Sequence, residues 1–464
     1  MLKNWSNFVF FCLILVLGLI SQAVASSIST SMGSLVFDAN DRILVLAPHP
    51  DDEVLGAAGV IQKAVSMHLP VKIVFFTYGD SNEWSFLLYR KHFVVMPGAV
   101  KTMGLIRKDE ALVAAGILGV DSKNLIFLGY PDFGTLNIWY SHWNNRHAYH
   151  SILTRVTKVP YQGAFRLGAP YKGEEIVVDL RTILKDFKPT KIFVSHPADH
   201  NGDHLSLYLF TRIALWDQKM ENSVEVYPYL IHYLGWPLLK GFKPDKLLRP
   251  PDALKGTIHW KQYLLSEQEF DVKKAALQAH KSQYTSTPKY LLSFIHYNEL
   301  FGDFPEIKLH MNENSSLFVG QHKVLSAAQL PEELNSREKT AFIGVEWEFI
   351  RWQGEDLIVS ITLSKPLAQD VEASIYIFGY NKEIPFGLMP KIRVRLGNNS
   401  YTVYDQAHRI DQSSIIVKRT SNEIALVVPL KLLKFPDRIL TSARTFLGNI
   451  PLDTASWIAV KLDE

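Results

Sequence analysis

Cysteine is all but absent: among 464 residues there is one, Cys12, inside an N-terminal apolar run. Disulfide frameworks, cysteine metal clusters and cysteine nucleophiles are thereby excluded from the rest of the chain, so a metal would have to be held by histidine and carboxylate. Net charge is scarce as well: 49 Lys and Arg against 46 Asp and Glu leave a formal +3. With no clustered basic face, the electrostatic case for nucleic acid falls away. The sequence shows no internal repeat and no long low-complexity tract. The apolar run itself, Phe8 to Ile20, falls short of the roughly 20 residues that span a bilayer. It follows Met1, Leu2 and Lys3 and precedes Ala23, Val24 and Ala25, the order of a secretory signal, with cleavage expected after Ala25. An uncleaved anchor is the competing reading. Cleavage predicts an exported protein, periplasmic or extracellular, with no stable membrane span.

What the chain does have is an ordinary globular balance, 47% apolar and 20% charged, at a length that predicts two or three domains. From about residue 40 to 310, short apolar runs alternate with helical stretches, which predicts a Rossmann-like α/β fold with a mostly parallel sheet and helices on both faces. Strands are expected at Ile43 to Ala47, Val71 to Thr77, Asn124 to Gly129 and Lys191 to Ser195. Helices are expected at Ala58 to Met67, Gly104 to Leu118, Glu175 to Phe187 and Phe270 to Gln283. Tyr130 to Tyr161, rich in aromatic residues and without a period, reads as a long loop. Residues 311–336 read as a linker. From 337 to 464 the period becomes two, in runs such as Leu357 to Leu363, Ala373 to Tyr380, Lys391 to Leu396 and Ile424 to Val428, which predicts an all-β sandwich.

In an open parallel sheet, ligands gather beyond the carboxyl ends of the strands. Two polar clusters stand there. Pro48, His49, Pro50, Asp51, Asp52 and Glu53 follow the first strand; His196 to His204, with His200, Asp199, Asn201 and Asp203 between, follow Lys191 to Ser195. A dinucleotide site would place glycines in the first turn, but Gly56 and Gly59 come a turn too late. Acidic residues at a helix start can be simple caps. That account leaves the histidines on the same rim unexplained, whereas two imidazoles and a carboxylate make a zinc site with an open position.

The run Leu46, Ala47, Pro48, His49, Pro50, Asp51, Asp52, Glu53 resembles the HPDDE signature of the LmbE-like, or PIG-L, zinc-dependent N-deacetylases, with Pro48 before the histidine as a departure. His196 to His204 is similar to the family's HPxDxxxDH motif without a gap. Thr77 to Asp80, Arg107 and Glu110, Asp132, His280, and Asn298 to Phe301 agree more weakly, and the likeness covers about residues 40 to 305. It implies that His49, Asp52 and His204 hold Zn2+ and that Asp51 is the general base. Zinc brings the pKa of its water down to about 7 and polarises a carbonyl. It also implies an N-acetylated amino sugar or glycan as substrate, with Arg107 and Asp132 contacting it and Asp203 and Asp199 orienting the ligands. Where relatives carry an imidazole this chain has Asn201, which can donate a hydrogen bond to an oxyanion but delivers no proton. His232, in the strand-like run Tyr229 to Trp236, is favoured over His200 as the acid.

Two other readings stand beside the deacetylase: a carbohydrate-binding protein that keeps an impaired metal site, favoured only by Asn201, and a zinc amidase acting on a non-sugar amide. In the sandwich, Trp347 and Trp352 read as core residues rather than sugar platforms.

Overall fold

The computed structural model describes residues 32–80, 96–144, 146–255, 258–304, 306–311, 330 and 334–463, and the backbone of 314–317. The expected signal segment and most of the expected linker lie outside these residues.

The N-terminal region is built on one mixed sheet. Its strands are β1 (Gly33–Ser34), β2 (Ile43–Ala47), β3 (Val71–Thr77), β4 (Leu125–Tyr130), β5 (Lys191–Ser195), β6 (Glu225–Tyr229), β7 (Trp260–Leu264) and β8 (Asn298–Gly302). They lie in the order β1-β7-β8-β6-β5-β2-β3-β4. Neighbours from β6 to β4 are parallel, while β8 runs antiparallel to both β6 and β7. All five residues of β2 and of β5 are buried, as in strands covered on both faces, with Lys191 at the start of β5 neutralised by Asp41 and Glu225. Successive β2 side chains alternate between two cores. Val45 joins Ile73, Phe193, Val60 and Ala276 on one face, and Leu44 and Leu46 join Ile192, Leu180 and Ile213 on the other. The helices that line these two cores are α1 (Asp52–Ser66), α2 (Pro97–Ile117), α3 (Thr135–Ser141), α4 (Gly173–Phe187), α5 (Gly202–Asp217) and α6 (Glu267–Ala279). From β2 the chain adds β3 and β4 on one side, then returns to place β5 and β6 on the other. The crevice beyond the carboxyl ends of β2 and β5 is therefore the switch point of the sheet.

Helix α2 starts at Pro97, seven residues before the expected Gly104, and the helix expected over Phe270 to Gln283 is broken at His280; three further elements differ from the sequence reading, each for a local reason. Helix α1 begins at Asp52, six residues before its apolar period, and is kinked at Ala57 (φ −144°). The kink frees backbone donors that the buried Glu299 takes up, from Gly59 N at 2.9 Å and Val60 N at 3.3 Å, while Lys273 Nζ neutralises that carboxylate at 2.7 Å. Gly56 is there because a Cβ would stand 2.5 Å from the Tyr229 ring. The stretch Tyr229 to Trp236 is not strand beyond Tyr229, because the carboxylate of Asp199 accepts the amides of Ile231 and His232 (3.1 and 2.9 Å) and carries the chain out of the sheet. The aromatic insertion contains α3, whose seven residues are too few to show a period.

The C-terminal region is strand-rich. A five-stranded sheet holds β10 (Asn314–Leu317), β11 (Val345–Gln353), β12 (Asp356–Leu363), β18 (Glu423–Pro429) and β17 (Ile416–Arg419). The larger sheet runs β16 (His408–Ile410), β15 (Tyr401–Asp405), β14 (Lys391–Leu396), β13 (Val371–Tyr380), β19 (Arg438–Leu447), β21 (Ile458–Asp463) and β9 (Ile307–His310), with β20 (Ile450–Thr454) beside β19. Ile350, Leu357 and Ile361 of one sheet share a core with Ile375, Ile392 and Ile439 of the other. Strands β9 and β10 pair inside these sheets, so the sandwich begins before residue 311, earlier than the sequence period showed. Trp352 lies in its core, whereas Trp347 sits on the outer face of β11, stacked with Phe349.

The outer face of the larger sheet packs on the α/β region. Trp139 of α3 is fully buried among Phe210, Phe378, Phe386 and Trp457. Lys391, also fully buried, lies 3.7 Å from the Phe386 ring centre and donates to the carbonyls of Phe386 and Met389 at 2.6 and 2.8 Å.

Candidate metal centre

The turns after β2 and β5 meet at the switch point. His49 Nδ1 lies 3.1 Å from Asp52 Oδ2, His204 Nε2 lies 3.1 Å from the same oxygen, and the two nitrogens are 3.3 Å apart. Metal bonds of about 2.0 to 2.1 Å to nitrogen and oxygen give tetrahedral ligand–ligand edges of about 3.3 Å. The triangle thus has the dimensions of three corners of a zinc tetrahedron. All three residues are buried, and their ligand atoms form one of the groups able to hold a metal ion.

The far nitrogens of both imidazoles face carboxylates. Asp199 Oδ2 lies 3.1 Å from His204 Nδ1; Asp132 Oδ1 and Asp203 Oδ2 lie 3.2 and 3.4 Å from His49 Nε2. Such partners fix ring orientation and raise ligand basicity. Asp203 is itself held by Phe133 N at 2.6 Å, by Thr135 N at 3.2 Å and by the Thr135 hydroxyl. Burial works against a charge on His204, but Asp199 and Asp52 outweigh it and bring the pKa up to about 9. For His49, burial is likewise outweighed by Asp132, Asp203 and Asp52, and the pKa stands well above the ordinary value. The carboxylate cage demands positive charge at its centre, which a divalent cation supplies in place of the imidazole protons.

Residues 44–215 match the sequence profile of the PIG-L family, described as GlcNAc-PI de-N-acetylase. The chain carries a PIG-L domain. No curated protein sequence matches the chain. Among solved structures it is similar to the N,N'-diacetylchitobiose deacetylase of Pyrococcus horikoshii, at 18% identity, with 56% of this chain and 82% of that one covered and a TM-score of 0.33. It is similar too to the zinc-inhibited form of the teicoplanin deacetylase Orf2, at 17% identity over 56% and 97% of the two chains, with a TM-score of 0.36. The 4-carboxy-2-hydroxymuconate hydratase of Pseudomonas putida KT2440 also matches, at 15% identity over 57% and 98%, with a TM-score of 0.31.

Within the PIG-L domain, Asp51 has the largest positive φ of the described non-glycine residues. It precedes α1 at φ +128°, and its side chain caps nothing. For a non-glycine residue that conformation costs on the order of 1 to 3 kcal/mol. Its amide donates to Glu53 Oε2 at 2.9 Å, and Glu53 Oε1 is bound by His280 Nε2 at 2.8 Å, so a fully buried Glu–His pair braces the turn. Burial pushes the Asp51 carboxyl up to about 6, with Arg107 acting against it.

Arg107 is neither a surface cation nor a partner of Glu110. It is buried, donates to the carbonyls of Gly79 and Pro50 at 2.8 and 2.6 Å, and stands 3.3 Å from Asp51 Oδ1. Glu110 instead accepts from Ser282. Asn201, expected among the catalytic groups, is the N-cap of α5, its carboxamide oxygen accepting Asp203 N at 2.8 Å. Capping accounts for its presence. The His232 ring meets the His204 ring at 4.7 Å, and its Nδ1 lies 3.1 Å from the Tyr290 hydroxyl. Burial and the neighbouring His204 bring its pKa down to about 4. His200 is exposed and leans on Tyr233. His196 is fully buried, accepts Ala198 N at Nδ1 and stacks on Trp260, a structural histidine.

Sequence reasoning missed the Glu53–His280 brace, Thr135, Tyr290 and the pair Asp80–Tyr161. Asp80, buried with one oxygen bound by the Tyr161 hydroxyl, is driven up to about 8 by burial and by Asp132. For Glu53 and His280 the signal was present, since both lie in stretches that resemble the family. For Thr135, Tyr290 and Tyr161 no residue pattern points to the site.

Proposed function

We propose that this chain is an exported zinc-dependent hydrolase that removes an N-acetyl group from an N-acetylglucosamine-type amino sugar in a glycan, glycolipid or conjugate. One observation carries the reading: three ligand atoms at 3.1, 3.1 and 3.3 Å from one another stand next to a carboxylate that the helix does not use as a cap. His49, Asp52 and His204 would hold the ion, whose chemistry is Lewis acidity toward an amide carbonyl and a lowered pKa of bound water. Asp51 would be the general base: it neighbours Asp52 in the chain, and burial brings its pKa to about 6. Arg107 fixes that carboxylate through the Pro50 and Gly79 carbonyls. Because burial keeps His232 neutral near pH 7, its part would be to relay to the departing amine the proton that Asp51 takes up, with Nδ1 tied to Tyr290. Asp132 has two places open to it, orienting His49 or meeting a sugar hydroxyl. The amino sugar rests on the PIG-L domain, and export rests on the N-terminal pattern.

Release of acetate from a panel of N-acetylated amino sugars, with zinc and after chelation, tests the reading. The expected result is zinc-dependent acetate from at least one sugar. Asp51→Asn is expected to keep the metal and lose about 10² to 10⁴ of the turnover, the range of general acid–base catalysis. His204→Ala is expected to lose both. Wild-type turnover in Asp51→Asn would remove that residue from the role of base. A chain that binds zinc and sugar but releases no acetate would be the impaired carbohydrate-binding protein instead.

A further inference from the structure

After His232 the chain makes an irregular excursion over residues 236–249, and that excursion is firmly framed. Trp236 Nε1 donates to Arg249 O at 2.8 Å, closing its two ends. Leu248 N donates to Asn298 Oδ1 at 2.7 Å, Asn298 Nδ2 donates back to Leu248 O at 3.0 Å, and Gly241 N donates to Ser293 Oγ at 2.7 Å. Compact loops with tied ends are frequently functional. Yet this frame turns apolar side chains outward: Leu238 is 59% exposed, Leu239 45% and Leu247 48%. Exposed lysines, Lys243 and Lys246, alternate with them. The loop borders the metal centre, because Lys240 lies over the Tyr290 ring, whose hydroxyl binds His232 Nδ1 at 3.1 Å.

We propose that this loop docks on a lipid bilayer bearing anionic headgroups, with the leucines entering the headgroup boundary and the lysines meeting the phosphates. Apolar tips between cations fit that surface on both counts. A soluble acidic polysaccharide would satisfy the lysines only, since flexible aliphatic side chains offer a sugar ring neither a flat platform nor a hydrogen bond. The docked loop holds the neighbouring metal centre against the bilayer surface.

Backbone hydrogen exchange over residues 237–248 tests the docking in the full-length chain. The probes are vesicles of phosphatidylethanolamine with phosphatidylglycerol, vesicles of phosphatidylcholine alone, and a soluble anionic polysaccharide. The local readout is independent of any contact made by the N-terminal apolar run and of acetate release, so failure of the docking and failure of the hydrolase reading are distinguishable. Protection of the loop by the anionic vesicles is expected, weaker with phosphatidylcholine and with added salt. Leu238→Ser with Leu239→Ser, and separately Lys243→Glu with Lys246→Glu, are each expected to raise the lipid concentration for half protection about tenfold or more. Zinc binding in both variants should match wild type. Unchanged exchange in the loop with every vesicle, or protection that neither variant weakens, overturns the proposal. Protection by the polysaccharide that survives the leucine change and is lost with the lysine change overturns it as well.

Discussion

At the scale of single residues, charge burial decides most of what is unusual here. Asp52 is held well below the carboxylate range because, although burial opposes ionisation, His204 and His49 outweigh it. Glu348, in the sandwich, has the opposite environment: it is fully buried, one oxygen accepts the Thr441 hydroxyl, the other has no partner among the described residues, and burial pushes its pKa up to about 7. A native pKa above the unfolded value means that the folded chain binds a proton the unfolded chain has released. Stability from this group is therefore full below about pH 4.5, falls as the pH rises toward 7, and is lost beyond, by on the order of 3 kcal/mol. Glu348→Gln should flatten that part of the stability curve, which denaturant melts across the window will show. An unchanged slope would place the charge elsewhere. That His49, Asp52 and His204 would be drawn together was legible as a pattern of residue types, because a metal-binding group admits few side chains. The capping role of Asn201 was not legible, since an asparagine that caps a helix and one that donates to an oxyanion look alike in sequence.

Elements were legible where burial imposes a period. β2, β3 and β5 fall where they were read, since strands covered on both faces carry an apolar run through most of their length. α3 and the start of α1 were not, because seven residues show no period and a polar helix start looks like a loop. α3 nevertheless matters to the centre. Its first residue, Thr135, grips Asp203, and its Trp139 is embedded in the aromatic contact with the sandwich. Loosening that contact from the sandwich side should reach the metal. Trp457→Ala is expected to cost about 3 to 5 kcal/mol of stability and to weaken zinc binding several-fold, with Trp457→Phe restoring much of both. Trp347→Ala, on the outer face of β11, should leave zinc affinity unchanged. Calorimetric titration of zinc into the three variants measures this. Equal affinities in all three would mean that the sandwich does not support the site.

For the whole molecule, the large shared aromatic core makes two independently melting units unexpected. Thermal unfolding should be a single transition, and zinc should raise its midpoint, since a ligand that binds only the folded chain at about 1,000 times its Kd adds about 4.1 kcal/mol. Chelator should return the midpoint to that of the metal-free protein. The change from helical to alternating period foretold a second architecture in the sequence. It did not foretell that β9, directly after β8, already belongs to that second part, because a four-residue edge strand carries too little pattern. The measurement that bears most directly on the account is the zinc-edge anomalous scattering of crystals grown with zinc. The account predicts one ion about 2.0 to 2.2 Å from His49 Nδ1, Asp52 Oδ2 and His204 Nε2, with Asp51 beside the remaining position; an ion bound without His49 and His204 together would contradict it.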